Sequence, residues 1–144
     1  MVIRESDYRT LSVMCRGYRG KGFRVGDGLR ALAEKLPDAR VVADDELPDD
    51  VVAIDSVLRL TELSSAISFE CRIVLPSQVD LAQRHISVVS LIGASVMGEK
   101  QGQIVMYKCP DRLRLVRIDR VSQPEQAVAQ ASGASAGGSR NARD

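Results

Sequence analysis

The chain has 144 residues, a length that fits one ordinary domain with a small appendage but not two full domains. Its 20 basic and 19 acidic residues leave a formal net charge of +1, which excludes a polybasic nucleic-acid binder of the histone type. Aromatic residues make up 3% of the chain, which disfavours base-stacking platforms and ligand pockets walled by several rings.

The residue types that carry catalysis and metal binding are scarce. The three widely spaced cysteines, Cys15, Cys71 and Cys109, form no disulfide framework, and with the single His85 they indicate no standard structural zinc site. No nucleophile and base can be paired, and no glycine motif has the spacing of a phosphate-binding loop. We therefore predict no catalytic, metal or cofactor site. The N-terminus lacks a secretory signal and no apolar run reaches ~20 residues, so we expect a cytoplasmic protein with reduced thiols.

Two short amphipathic helices are predicted near the N-terminus. Ser6 or Asp7 is placed to cap a helix that runs to about Arg16, where a glycine-rich stretch ends it. The glycines of that stretch are Gly17, Gly20 and Gly22. Asp27 is placed to cap a second helix, which Pro37 closes. Each helix is too short to be stable alone, so we expect them to pack as an antiparallel hairpin.

Charge is segregated along the chain: residues 1–26 carry +4, residues 27–55 carry −6 and the remainder carries +3. The basic stretch crowds four cations at the predicted hairpin tip, together with two aromatic rings. These tip cations are Arg16, Arg19, Lys21 and Arg24. Two interpretations stay open: the tip grips phosphates or an acidic protein surface, or it is a solvated turn whose rings pack back on the helices. The acidic stretch lacks the spacing of a calcium loop, which indicates a solvated linker.

The helical hairpin and acidic linker form a first segment, residues 1–46. The second segment, residues 47–122, holds short apolar and alternating runs that predict an α+β domain of several antiparallel strands. The predicted β-prone runs are 51–54, 57–60, 67–75, 86–89, 104–108 and 113–121. Between them, Leu91–Met97 predicts one short helix with Gly98 as its C-cap. Residues 123–144 are rich in Gln, Ala, Ser and Gly, which predicts a flexible tail.

Three stretches of the second segment resemble the C-terminal domain of the Gre-factor family. Pro48–Ser56 resembles its P-x-D-V-V opening, Ile73–Pro76 its L-V-Y-P strand end, and Ile86–Gly98 its I-S-V-x-S-P-L-G core. The resemblance covers about residues 47–121. The short segment in front of it is similar to that of the regulators of nucleoside diphosphate kinase, which are Gre-like proteins with a shortened N-terminal coiled coil.

The resemblance implies an FKBP-like domain, in which a twisted antiparallel sheet packs on one short helix. It also implies binding to bacterial RNA polymerase at the mouth of its secondary channel. The implied polymerase-binding residues lie in the loop that begins the short helix, namely Ser90, Leu91, Ile92 and Gly93. This sequence departs from the family there, because Leu91 stands where the family usually has proline. Proline restricts the backbone, so its loss predicts a less rigid loop.

Three functions follow as hypotheses. The first is a non-enzymatic transcription regulator that binds RNA polymerase and competes with transcript-cleavage factors, since a basic tip cannot hold the second Mg²⁺ that cleavage requires. The second is a nucleic-acid-binding module that acts through the basic tip, either on free nucleic acid or within the polymerase complex. The third is a peptidyl-prolyl isomerase, which the fold allows but which needs more rings than Phe69 and Tyr107 supply.

Overall fold

The structure, a computed structural model, describes residues 1–21 and 27–124, with the side chains of residues 1–16 and 27–124. Its helices are α1 (Glu5–Lys21), α2 (Asp27–Lys35) and α3 (Leu91–Val96). Its strands are β1 (Val2–Arg4), β2 (Arg40–Val42), β3 (Val57–Glu62), β4 (Ile67–Val74), β5 (His85–Ser87), β6 (Ile104–Lys108) and β7 (Leu113–Ser122). Short 3-10 turns span Leu36–Asp38, Asp44–Glu46, Pro76–Gln78 and Leu81–Gln83. In the described part of the chain, no helix is both long enough and apolar enough to cross a membrane.

A five-stranded sheet, in the order β5-β4-β3-β7-β6, forms the second segment. Three of its four strand pairings are antiparallel, as the alternating runs predict, but β5 lies parallel to β4 with His85 opposite Arg72. The prediction of an antiparallel sheet is therefore wrong at this edge. The reason is the connection after Pro76, which passes through two 3-10 turns and brings the chain back beside Arg72 before β5 begins. Strand β5 therefore runs in the same direction as β4.

The turn between β3 and β4 is held by the carboxylate of Glu62. It accepts hydrogen bonds from Ser64 Oγ at 2.6 Å and from the Ser65 amide at 2.9 Å. These donors stabilise the charged form and lower the pKa of Glu62 to about 2. Ala66 follows with φ of 59°, a left-handed conformation that completes the turn.

The first helix is longer than predicted. It continues through Gly17 and Gly20 to Lys21, so the glycines do not end it at Arg16. A glycine inside a helix costs only about 1 kcal/mol relative to alanine, and α1 is anchored in the core upstream by Leu11 and Cys15. Its 17 residues correspond to about 25 Å, compared with the ~15 Å expected for a ten-residue helix. Helix α1 contacts α2, but the connection between them is outside the described residues, so the antiparallel hairpin stays a prediction.

A second, two-stranded sheet went unpredicted. Strand β1 pairs in parallel with β2, and Ile3 lies opposite Val41. On the other side of β1, the Val2 amide donates to the Gly98 carbonyl at 3.0 Å, so the N-terminus is tied to the end of α3. Gly98 has φ of 79° just after that helix, as its predicted capping role requires.

One hydrophobic core joins the two segments. Helix α2 ends at Lys35, close to the predicted stop at Pro37, and the 3-10 turn Leu36–Asp38 follows it directly. Side chains of β1, α1 and α2 pack with those of α3 and the sheet, and the largest fully buried members include Ile3, Leu11, Leu32, Leu60, Ile73, Met97 and Ile118. The boundaries proposed at residues 46/47 and 122/123 remain predictions, and the core runs across the first of them.

The apolar run 51–54 is buried but is not a strand, which corrects the prediction. Val51 makes only an isolated bridge with Lys100, and Val52 exchanges backbone hydrogen bonds with the Gly98–Lys100 connection, donating to the Glu99 carbonyl at 3.0 Å. The run therefore fills the core as an irregular segment. Apolar runs this short cannot be assigned to a strand by periodicity alone.

Candidate functional site

The predicted polymerase-binding loop is fixed by hydrogen bonds to its own backbone. Ser90 is the N-cap of α3, and its Oγ accepts from the Gly93 amide at 3.1 Å. The same hydroxyl donates to the Ser87 carbonyl at 2.7 Å, and Ser87 Oγ accepts from the Val89 amide at 3.0 Å. Two serines therefore order the turn, and an N-cap of this kind contributes about 1 kcal/mol.

The four predicted loop residues have different environments. Gly93 is buried, and a Cβ there would lie 2.1 Å from the Ser87 carbonyl oxygen, so only glycine fits. Ile92 is half-buried and packs against the core, whereas Leu91 is half-buried and lines a groove at the surface. Leu91 is thus the loop side chain best placed to contact a partner.

The groove beside Leu91 has a volume of about 480 Å³. Helix α2 forms one wall, α3 the floor, and the end of β6 with the turn after it the other wall. Its lining residues are Asp27, Arg30, Ala31, Glu34, Leu91, Ser95, Met106, Tyr107, Lys108, Cys109 and Pro110. Apolar, acidic and basic groups are mixed there, and this composition suits a protein surface.

The predicted tip residues lie on or beyond the end of α1. Arg16 is exposed on that helix, and Arg19 and Lys21 belong to its last turns. Arg24 is outside the described residues. The tip and the loop at Ser90 therefore belong to different elements of the fold.

Two acidic residues near the N-terminus have structural roles that the sequence did not reveal. Asp7 is buried, and its Oδ2 accepts from Arg4 Nε at 2.9 Å and from the Ile54 amide at 3.1 Å. Asp44, in the predicted solvated linker, accepts from the Ser6 amide at 2.9 Å and so caps α1. The expectation that Ser6 or Asp7 caps this helix is therefore wrong. Helix α1 already begins at Glu5, and the Ser6 amide of its first turn donates to Asp44, which belongs to a distant segment.

The surroundings of these carboxylates shift their pKa values in opposite directions. Burial raises the pKa of Asp7 from its ordinary value of 3.8, although the Ile54 amide and the Arg4 charge oppose that rise. The hydrogen bond from the Ser6 amide lowers the pKa of Asp44. Both groups hold structure in place through these hydrogen bonds.

The thiols are mostly structural. Cys15 and Cys71 are buried, and burial raises the pKa of Cys71 to about 12, so it stays protonated and unreactive. Cys109 is half-buried in the groove wall. Across residues 1–21 and 27–124, no three His, Cys, Asp or Glu side chains are grouped as metal ligands.

Comparison with known proteins gives a family for this architecture. Residues 47–123 match the family described as "Transcription elongation factor, GreA/GreB, C-term", which agrees with the resemblance over residues 47–121. The transcription elongation factor GreA of Thermotoga neapolitana is 27% identical over 99 residues, which cover 69% of this chain and 63% of that protein. The chain thus spans less than two thirds of that relative.

Two further proteins match over most of their length. The regulator of nucleoside diphosphate kinase of Escherichia coli K12 is 23% identical over 129 residues, covering 88% of this chain and 93% of that protein. A solved structure, the prokaryotic transcription elongation factor GreA/GreB from Nitrosomonas europaea, superposes with a TM-score of 0.66 at 28% identity, covering 85% of this chain and 97% of that one. The sheet, the serine-capped α3 and the matched residues 47–123 together show that this chain belongs to the GreA/GreB transcription elongation factor family, through the C-terminal domain of that family.

Proposed function

We propose that this protein is a non-enzymatic transcription regulator that binds bacterial RNA polymerase at its secondary channel and competes there with transcript-cleavage factors. The observation that carries the proposal is the family match over residues 47–123, which contains the whole Ser90–Gly93 loop. Membership of this family implies polymerase as the partner. Docking at the channel is supported by the loop, and the absence of transcript cleavage is supported by the tip.

The loop supports docking because it is ordered without proline. The Ser87 and Ser90 hydroxyls satisfy its amides and carbonyls, so the backbone is held although Leu91 lacks the restriction of a proline ring. A preorganised loop loses less conformational entropy on binding than a mobile one. Leu91 then offers an apolar contact beside a groove large enough to admit a partner's side chains.

The tip argues against transcript cleavage. Residues 16–26 contain four cations and no acidic residue, so they cannot coordinate Mg²⁺ and would repel it from a polymerase active site. Because α1 extends about 25 Å, the charge of the tip, and not a short helix, is what disfavours cleavage. The exposed guanidinium of Arg16 is suited instead to phosphates or acidic side chains.

The isomerase hypothesis has little support. Phe69 and Tyr107 both pack against the hydrophobic core, and Tyr107 supplies the single aromatic ring among the described residues that line the groove beside Leu91. A nucleic-acid contact through the tip remains compatible with polymerase binding, because RNA and DNA are present in the same complex.

The test is a pull-down of bacterial RNA polymerase with the full chain, repeated with an excess of a transcript-cleavage factor. We expect binding that the cleavage factor displaces and no RNA cleavage by the complex. No binding, or binding that the competitor leaves intact, would refute the proposal. A parallel arm reverses two tip charges (Arg19→Glu with Lys21→Glu) and, as a control of equal net charge, two exposed cations elsewhere (Arg9→Glu with Arg40→Glu).

The charge-reversal arm separates a local role of the tip from a general effect of charge. We expect the tip variant to lose its effect on transcription in the assembled complex and the control variant to keep it. Equal losses in both variants would show that net charge, and not the tip, matters. Binding of the wild type to free DNA that weakens steeply with salt would favour the nucleic-acid module.

A further inference from the structure

We propose that helix α2 positions the polymerase-binding loop through two residues, Gly28 and Lys35, and so links the N-terminal helices to the docking surface. The inference rests on the polymerase binding proposed above. It concerns residues outside the loop and outside the family match at 47–123.

Gly28 holds the beginning of α3. A Cβ at this position would lie 1.9 Å from the Val89 carbonyl oxygen and 2.6 Å from the Ser90 carbonyl carbon. These neighbours are backbone atoms, which cannot rotate away as a side chain can. The absence of a side chain therefore lets α2 lie directly against the loop that carries Leu91.

Lys35 holds the end of α3. Its Nζ donates to the Ala94 carbonyl at 3.1 Å and to the Ser95 carbonyl at 3.2 Å, and it pairs with Glu99 at 2.8 Å. The last carbonyls of a helix have no partner within the helix, and a cation there also opposes the negative end of the helix dipole. The three contacts satisfy all the donors of one ammonium group.

The spacing of the two residues matches the length of α3. Gly28 and Lys35 are seven positions apart, so they lie on one face of α2, separated by about 10 Å along its axis. The six residues of α3 extend about 9 Å. Gly28 meets the start of α3 and Lys35 its end, so the two helices lie side by side in the same direction, supported at both ends.

The groove beside Leu91 follows from this arrangement. Four residues on the exposed side of α2 form its wall, so any displacement of α2 alters the surface that Leu91 offers. In the sequence, α2 follows the predicted tip, and in the structure it contacts α1. A partner bound at the loop therefore meets the N-terminal helices in one defined orientation.

The test uses the full chain with the substitutions Lys35→Met, Lys35→Arg and Gly28→Ala. Lys100→Met is the matched control, because Lys100 is an exposed lysine that pairs only loosely with Asp50, at 3.9 Å. Affinity for RNA polymerase, thermal stability and hydrogen exchange of the Ala94 and Met97 amides, which both bond within α3, are measured for each.

We expect Lys35→Met to weaken polymerase binding about tenfold and to speed exchange of both amides. Arginine at position 35 restores both properties, since it also donates to carbonyls and carries the charge. Gly28→Ala weakens binding as well, by moving the loop, and serves as the second reporter if Lys35→Met does not fold. Lys100→Met leaves affinity unchanged.

The failures are distinguishable. Wild-type protein that does not bind polymerase overturns the proposed function and this inference with it. If the wild type binds and the Lys35 and Gly28 variants bind equally well, only the positioning role is overturned. A loss of affinity that Lys100→Met shares, or that arginine at position 35 does not rescue, also overturns it, since the effect would then be one of stability.

Discussion

The two regions of the molecule use charged side chains differently. In residues 1–46, ionic groups bond to backbone atoms of distant segments: Arg4 and Asp7 reach Ile54, and Lys35 reaches the end of α3. In the sheet region, the pair of Arg117 with Asp119 is short but lies within β7, whereas the ion pairs between different segments lie at the surface and are longer. Arg59 and Glu70 are 3.7 Å apart on neighbouring strands, with about half or more of each side chain exposed.

The difference shows which charges hold the fold together. Surface pairs in water contribute little, because hydration and mobility offset the attraction. Buried groups with backbone partners are costly to disrupt, because the partner loses its hydrogen bond and is left without water. Beyond the shared apolar core, the helices are therefore attached to the sheet by a few sensitive polar contacts, whereas the sheet relies on its ladders and on that core.

The substitution expected to have the largest effect is Asp7→Ala. It leaves the Ile54 amide unsatisfied and removes the partner of Arg4, so we expect a loss of about 2 to 3 kcal/mol in the free energy of unfolding. Urea denaturation measures it. Glu5→Ala is the control, since Glu5 forms an exposed pair with Arg9 in the same helix. If Asp7→Ala lowered the free energy of unfolding no more than Glu5→Ala does, the contacts of Asp7 with Arg4 and Ile54 would not be what holds the N-terminal region.

The second prediction contrasts the pH dependence of the two regions. The pKa of Asp7 is raised, so the folded state binds its proton more tightly, and its contribution to stability grows as the pH falls toward 3.8. The pKa of Glu62 is lowered to about 2, so its contribution is present above 4.5 and disappears as the pH falls from there toward about 2.

Unfolding curves of the wild type, Asp7→Asn and Glu62→Gln over this range separate the two groups. As the pH falls, the free energy of unfolding of the wild type should rise relative to that of Asp7→Asn and fall relative to that of Glu62→Gln. Slopes of the same sign would contradict the contrast between the regions.

The smallest effect is expected for Arg59→Ala in the sheet. The guanidinium is about half exposed and its pair with Glu70 is long, so we expect the free energy of unfolding to change by no more than about 0.5 kcal/mol. Urea denaturation at low and high salt measures it. A loss above 1 kcal/mol that salt abolishes would show that surface pairs also stabilise this sheet.

Much of the fold was predictable because its signals are local. Strand β6 has the predicted bounds, and the alternating residues of β7 and the apolar stripe of α2 each report a buried face within one window. Strands β1 and β2 were missed because three residues show no periodicity, and their pairing joins segments nearly forty positions apart. Strand β5 was predicted as the run 86–89 and lies at His85–Ser87, but its parallel pairing with β4 was missed because an apolar run does not report the direction of a strand.

The candidate site was only partly predictable. Ser90 before an apolar run signals an N-cap, and the structure has it there. Lys35 gave no comparable signal, because a lysine in the last turn of a helix usually interacts with that helix's own carbonyls. Its contact with α3 depends on how α2 lies in space. The polymerase-binding role of the loop and the role of the tip stay predictions.

The position of β3 has a consequence for biosynthesis. This central strand pairs with β4, which follows at once, and with β7, which is synthesised about fifty residues later. Leu11 and Leu32 are made first, yet the sheet that covers them is complete only after Leu113–Ser122 has left the ribosome. A nascent chain stalled before β7 exposes an edge of β3 and the apolar faces of both N-terminal helices, and such surfaces favour aggregation until the last strand is in place.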